Sequence, residues 1–343
     1  MELILTEEQR ILSESAGKLV ASLRAEGTKP KPVDQGGWRR IAEAGWLAID
    51  VPEVAGGLGL GATELALVME AAGRGLIQEP VGAVAVAAGV LARANQAVEV
   101  LETLLGGESV VLPVLGHGIE TAGSGENLRL SGTVQGVAAA DSYLVTTVGG
   151  FLCLADHGET GLAHRAAWTV DGANTGTLSF LNSPARLIAS GELAAELASR
   201  MTDRVLLATG AELLGVMERA LEMALDYVKT RRQFDRPIGS FQAIQHRAVT
   251  DYREVELTRS LLYQVCAAVD AGHAGAGLAQ AVKAKASAAA LHVTKSAIQM
   301  HGAIGYTDDL AVGWHLKRAM TLAACYGNAD AQRVRYAELT GLA

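Results

Sequence analysis

Residues 206–242 read LLATGAELLGVMERALEMALDYVKTRRQFDRPIGSFQ, and this stretch decides the fold. Leu206, Gly210, Leu213, Met217, Leu221, Ala224 and Val228 recur at steps of three and four, which predicts one long helix with a continuous apolar stripe. Further helical patterns run over about 240–271, 277–301 and 311–340. The loop Ala271-Gly272-His273-Ala274-Gly275-Ala276-Gly277 separates the first two of these. Long helices with short connections predict a four-helix bundle.

Working outward, the chain changes character twice. Residues 1–106 read as an N-terminal helical domain. Thr6-Glu7-Glu8-Gln9 fits a capping box, Trp38 to Leu47 is amphipathic, and a helix is expected through Thr63 to Gly73. Between them, Val51-Pro52-Glu53-Val54-Ala55-Gly56-Gly57-Leu58-Gly59-Leu60 carries a proline and three glycines and reads as a loop. Residues 107–187 hold short β-prone runs at Ser109–Val114, Leu128–Val134, Ser142–Val148, Phe151–Leu154 and Thr177–Leu181. The expectation is a mainly α chain with a small, β-barrel-like middle domain at 107–187 and a C-terminal four-helix bundle at 188–343.

The bulk numbers exclude several function classes. A net charge of -8 without a long basic run argues against nucleic acid and anionic membranes as partners. Three widely spaced cysteines make neither a disulfide framework nor a metal site, so a reduced cytoplasmic location is expected. The first residues are acidic rather than basic, unlike a signal peptide. Val81 to Ala92, the richest apolar run, is too short to span a bilayer. The eight histidines show no metal-ligand spacing, and no metal is expected.

Two segments invite chemistry. Arg231-Arg232-Gln233-Phe234 leads into Pro237-Ile238-Gly239-Ser240-Phe241-Gln242, and Gln299-Met300-His301-Gly302-Ala303-Ile304-Gly305-Tyr306 closes a later helix. Taken alone, Arg231 is a basic residue suited to a helix C-terminus, and Gly302 and Gly305 are glycine caps. His246 and His301 read as hydrogen-bonded packing residues.

Together the two segments resemble the flavin-binding motifs of the acyl-CoA dehydrogenase family. The order of helices, strands and bundle resembles that family over nearly the whole chain, and the Pro52-Glu53 to Gly57 loop is similar to its N-terminal loop. The resemblance implies FAD as cofactor and an acyl-CoA thioester as substrate, with an electron-transfer acceptor. It implies that Arg231, Gln233 and Phe234 meet the FAD of a neighbouring subunit. Gln299, Gly302, Ala303 and Gly305 would lie along its adenine half, where glycines permit close backbone approach. An arginine suits a pyrophosphate because it is always charged and donates bidentate bonds.

The sequence also departs from the family. Asp235 replaces the usual glycine after the phenylalanine, placing a carboxylate near a pyrophosphate. Ala303 replaces the second glycine of a usual pair. The family's Thr-Glu-Pro is absent near Leu112-Pro113-Val114. Most tellingly, the glutamate base that precedes a glycine near the C-terminus is Tyr326, ahead of Gly327. Tyrosine ionises near pH 10, so Tyr326 reads as a pocket wall or plug rather than a base. Asn328 and Asp330 fall at flavin-contacting positions. The alternative base position on the long helix is Val205, with Asp203 and Glu212 out of register. Asp203 coincides with a residue that touches the pantetheine of CoA in some members.

The resemblance is to the short, base-lacking subunits of bacterial steroid-degrading dehydrogenases, which are α2β2 assemblies. It implies a homologous partner subunit that supplies the glutamate, and a possible steroid-derived acyl group. Two other readings stand beside it: a homomeric enzyme using Tyr326 or Asp330, and a non-catalytic scaffold of the same fold.

Overall fold

The computed structural model describes residues 5–24, 29–123, 125–308 and 310–342. The chain forms α1 (Glu7–Leu23), α2 (Gln35–Glu43), α3 (Ala62–Arg74), α4 (Val81–Ala94) and α5 (Val98–Leu105). Eight strands follow: β1 (Val111–Val114), β2 (Glu120–Ala122), β3 (Arg129–Ala138), β4 (Ser142–Thr146), β5 (Leu152–Asp156), β6 (Leu162–Trp168), β7 (Asn174–Pro184) and β8 (Arg186–Ala189). Then come α6 (Gly191–Thr230), the hairpin β9 (Arg232–Gln233) and β10 (Arg236–Pro237), α7 (Gln242–Asp270), α8 (Leu278–His301), α9 (Val312–Ala324) and α10 (Ala329–Thr340). Two compact units result: residues 1–32, 62–78 and 206–343, and residues 33–61 and 79–205. Among the described residues no helix is long and apolar enough to cross a membrane.

In the second unit, α4 is apolar on all sides, and Val84 to Ala88, Val90 and Leu91 are wholly buried. Such a helix can only be central, and each buried Val or Leu contributes about 1.5–3 kcal/mol. One sheet, ordered β1-β4-β5-β8, has strands buried almost along their length, as their unbroken apolar sequences require. The other, ordered β2-β3-β7-β6, alternates buried and exposed residues along β7 and turns one face to water. Strands β2, β6 and β8 fall outside the β-prone runs. Strand β6 (LAHRAAW) lacks β-branched residues and is held by its register on β7, from Leu162 opposite Phe180 to Trp168 opposite Asn174.

In the first unit, the capping box forms as expected, with Thr6 and Gln9 each accepting from the other's backbone N–H. The N-terminus of α3 is capped from 207 positions away: Asp270, at the end of α7, accepts from Thr63 N at 2.9 Å and Thr63 Oγ1 at 2.8 Å. Helices α3 and α6 cross with their backbones in contact. A Cβ on Gly215 would lie 1.9 Å from the Glu70 carbonyl oxygen, and one on Gly73 would lie 2.1 Å from that of Glu212. A charged ladder flanks this crossing. Arg259 reaches Glu70 at 2.6 Å and Glu218 at 2.5 Å, while Arg74 reaches Glu218 at 2.5 Å and Glu222 at 2.8 Å. Tyr263 donates to Glu70 at 2.6 Å.

The single helix expected over 311–340 is two helices. Tyr326 (φ 55°) and Gly327 (φ 94°) both adopt left-handed backbone, and Asn328 then caps α10 by accepting from Ala331 N at 2.9 Å. Helix propensity over the whole stretch is high, and the break is set by these three residues.

His315, on α9, is buried, and burial pulls its pKa from 6.5 to about 4, against its hydrogen bond with the Ala311 carbonyl and reinforced by the charges of Arg219 and Arg74. Between about pH 4 and 6.5 the unfolded chain therefore binds the proton that the folded chain refuses. Stability should fall as pH drops through this window, by roughly 3 kcal/mol from this one group. Denaturant unfolding at pH 7 and pH 4.5 tests this: His315→Asn should show a shallower acid loss than the parent, and an equal loss would remove His315 as the cause.

Candidate functional site

The sequence-predicted residues fall on three features of the first unit. The long apolar face of α6 ends at Thr230, and the chain turns at once into the β9–β10 hairpin. Phe234 (φ 52°) and Asp235 (φ 63°) are its two turn residues, both left-handed. That is the geometry of a type I′ hairpin turn, which matches the twist of the paired strands. It explains why a glycine could stand at 235, and why aspartate, which tolerates this conformation, replaces it. Arg232 braces the turn by donating to the Asp235 carbonyl, and Ile238 N donates to the Arg231 carbonyl at 2.8 Å. The hairpin stands out in solvent: Arg231, Gln233 and Phe234 are all exposed, Phe234 by 86%. Phe234 meets Phe241 edge-on at 6.1 Å, and the Arg236 guanidinium lies 4.1 Å over Phe241.

The second feature is the end of α8. Gln299 is exposed, and Gly302 (φ 70°, ψ -146°) closes the helix in a conformation open essentially to glycine alone. Its N–H donates to the Ile298 and Gln299 carbonyls, so the cap expected from composition is present. Gly302 and Ala303 are exposed, and a Cβ on Gly302 would meet no atom within 4 Å. Gly305 is buried, where a Cβ would come within 2.9 Å of the Ile298 carbonyl. His301 stacks on Tyr227 of α6 at 4.6 Å, and its Nδ1 lies 2.7 Å from the Ala297 carbonyl. This packing brings the ends of α6 and α8, and with them the two motifs, to the same end of the unit. His246, expected to be packed, is exposed instead.

The third feature is the break between α9 and α10. Tyr326 is half-buried, and burial pushes its phenol above the ordinary tyrosine value, with Cys325 and Glu212 pushing the same way. Glu212 is itself paired, as Arg318 donates to it from Nε at 2.9 Å. Asn328 spends its side chain on the helix cap. Asp330 is exposed and pairs with Arg333 at 2.5 Å, one turn along α10. Asp203, on α6, belongs to the other unit, so the structure does not bring it into this set; burial raises its carboxyl above the ordinary value, against the pull of Arg204.

Lys283 was missed. It is wholly buried on α8, and its ammonium donates to Ser287 Oγ at 3.0 Å, to the Ala323 carbonyl at 3.2 Å and to the Gly327 carbonyl at 3.1 Å. Burial pulls its pKa from 10.5 to about 8, and Cys325 pulls back up. The three donors of the ammonium are matched by three acceptors, two of them flanking Tyr326. The signal was a lysine in an alanine-rich stretch, with Gln280 and Ser287 one turn away on the same buried face. Among the described residues no cluster could hold a metal ion.

Comparison with known proteins identifies the family. Residues 2–100 match the acyl-CoA dehydrogenase N-terminal domain, and residues 197–339 match the acyl-CoA dehydrogenase C-terminal domain. The acyl-CoA dehydrogenase FadE27 of Mycobacterium tuberculosis is 31% identical over 335 residues, covering 86% of this chain and 85% of that protein. The Tcur3481-Tcur3483 steroid ACAD G363A variant superimposes with a TM-score of 0.88 at 29% identity over 98% of both chains. The ChsE4-ChsE5 complex from Mycobacterium tuberculosis does so with a TM-score of 0.84 at 27% identity over 100% of both. With both terminal domains matched and a relative aligned over most of its length, this chain belongs to the acyl-CoA dehydrogenase family.

Proposed function

We propose that this chain is one subunit of an FAD-dependent acyl-CoA dehydrogenase that oxidises the α,β bond of an acyl-CoA thioester, with a homologous subunit supplying the base. The observation that carries the reading is the contrast between two features of one unit. Arg231, Gln233, Phe234 and Gln299 of the flavin-type motifs are present and exposed, while the base position holds a tyrosine whose pKa burial pushes up. The residues fit the cofactor: the backbone at Gly302 is exposed with no atom within 4 Å of where a Cβ would stand, and the Arg231 side chain is exposed in the same unit. Arg231 would grip the pyrophosphate, Gln233 and Phe234 would cover the dinucleotide across a subunit boundary, and Gln299 to Gly305 would take the adenine half. Bound FAD supplies the hydride acceptor. Tyr326 holds its proton at neutral pH and so walls the site without drawing a proton from the substrate. Asp330, exposed and paired with Arg333, is no better placed to act as a base. The steroid ACAD variant, 29% identical over 98% of both chains, supports a steroid-derived acyl group.

The test is a visible absorption spectrum of the chain purified alone and co-expressed with a homologous subunit encoded beside it. Flavin colour confined to the mixed sample, bleached by an acyl-CoA thioester, is expected. Colour and bleaching in the chain alone would favour the homomeric enzyme, and a colourless mixed sample would favour the scaffold. Within the mixed complex, Arg231→Ala should weaken FAD retention on the order of tenfold, the worth of a charge-assisted bond. Unchanged retention on a desalting column would refute the assignment of Arg231.

A further inference from the structure

The turn that carries Tyr326 is held by side chains that the proposed activity does not use. Helix α9 ends at Ala324, and the last carbonyls of a helix have no partner within it. Lys283, on α8, supplies one. Its ammonium donates to the Ala323 carbonyl at 3.2 Å, and a cation there also meets the negative end of the helix dipole. The same ammonium donates to the Gly327 carbonyl at 3.1 Å and to Ser287 Oγ, one turn along α8, at 3.0 Å. Between the two carbonyls lies that of Tyr326, which accepts from Gln332 Nε2 at 2.5 Å. Gln332 stands on α10, so the turn is gripped from two helices. Two side chains thus take three of the five carbonyls from Ala323 to Gly327.

Left-handed backbone is unfavourable for a residue with a side chain and persists where the surroundings over-determine it. Tyr326 is such a residue, at φ 55°. Lys283 is wholly buried and Gln332 is buried, so water does not compete for the carbonyls they hold. The charge of the ammonium strengthens its two main-chain bonds. Gly327 completes the fit, since a Cβ there would lie 2.9 Å from Gln332 Nε2. Once the main chain on both sides of 326 is fixed, so is the direction in which its Cβ leaves.

We propose that Lys283 and Gln332 are positioning residues, which hold the main chain of this turn and so set the direction of the side chain at 326. Neither needs to touch substrate or cofactor. That the side chain faces an acyl group rests on the function proposed above; the way it is held does not. Removing either residue leaves a buried carbonyl without its donor. The turn then relaxes towards the right-handed backbone that tyrosine prefers, and the ring swings away.

The full chain labelled with 3-fluorotyrosine reports this by fluorine NMR. It has seven tyrosines, and Tyr326→Phe identifies the signal of Tyr326. Gln332→Leu keeps the volume and loses the donor; it should shift or broaden that signal and leave the other six in place. Lys283→Met should shift it further, because two carbonyls lose their donor. A merely structural role would disturb the whole unit, and the signals of Tyr263 and Tyr336 would move as much as that of Tyr326. That result, or a Tyr326 signal unmoved in both variants, overturns the proposal. If Lys283→Met does not fold, Gln332→Leu decides alone. Octanoyl-CoA, added to the mixed complex at a concentration that bleaches its flavin, tests what the side chain faces: it should move the Tyr326 signal. A signal that ignores it, with the variants behaving as expected, would leave the anchor standing and remove Tyr326 as a wall of the proposed site.

Discussion

Arg259→Leu should cost about 2–3 kcal/mol, the loss expected when one partner of a partly buried, charge-assisted pair is removed. Arg259 bridges Glu70 and Glu218 directly, at 2.6 and 2.5 Å. Without it Arg74 still serves Glu218, but Glu70 keeps only the Tyr263 hydroxyl, itself pushed far above its ordinary pKa by burial and by Glu70. Glu218 already lies above the ordinary carboxylate value, first through burial, with Arg259 among the groups holding it down. The mutant should therefore protonate Glu218 more readily. The sign follows: a carboxyl whose folded pKa is raised further loses stability as pH rises through it, so the mutant's deficit is largest at neutral pH and shrinks below about pH 5. Urea unfolding of parent and mutant at both pH values measures it. A deficit under about 1 kcal/mol at pH 7 would mean that the ladder is a solvated surface network.

Gly215→Val should be as damaging by a different route. The nearest atom to an added Cβ is a backbone carbonyl, that of Glu70 at 1.9 Å, and no rotamer change can move it. Helices α3 and α6 would have to separate, and overpacking of this kind costs about 1–3 kcal/mol and often more. Separation would also pull Gly73 from the Glu212 carbonyl and stretch the Arg74 and Arg259 pairs, which span the same crossing. The two substitutions should thus be non-additive, the double mutant losing less than the sum. A folded Gly215→Val with the parent's melting temperature would show that the crossing can slide apart freely.

Much of this architecture was legible because it rests on periodicity. The stripe from Leu206 to Val228 became a single helix of 40 residues, and composition alone separated the apolar sheet strands from the helices. The reading missed what depends on distant partners. Strand β6 has no propensity of its own, and the cap of α3 is a carboxylate 207 positions away. The run through 311–340 looked like one helix because residues on both sides favour helix; the break comes from left-handed Tyr326 and Gly327 and from the Asn328 cap. Arg231, Phe234 and Gln299 were singled out by motif, and they are exposed. Lys283 was not, since its partners are carbonyl oxygens, which every residue possesses.

That same lysine separates architecture from chemistry at the base position. Its ammonium grips the main chain at Ala323 and Gly327 and asks nothing of the side chain between them. The turn therefore has the same anchor whichever amino acid stands at 326. A lineage can exchange the side chain there, giving up or regaining a reactive group, while the scaffold beneath it stays in place.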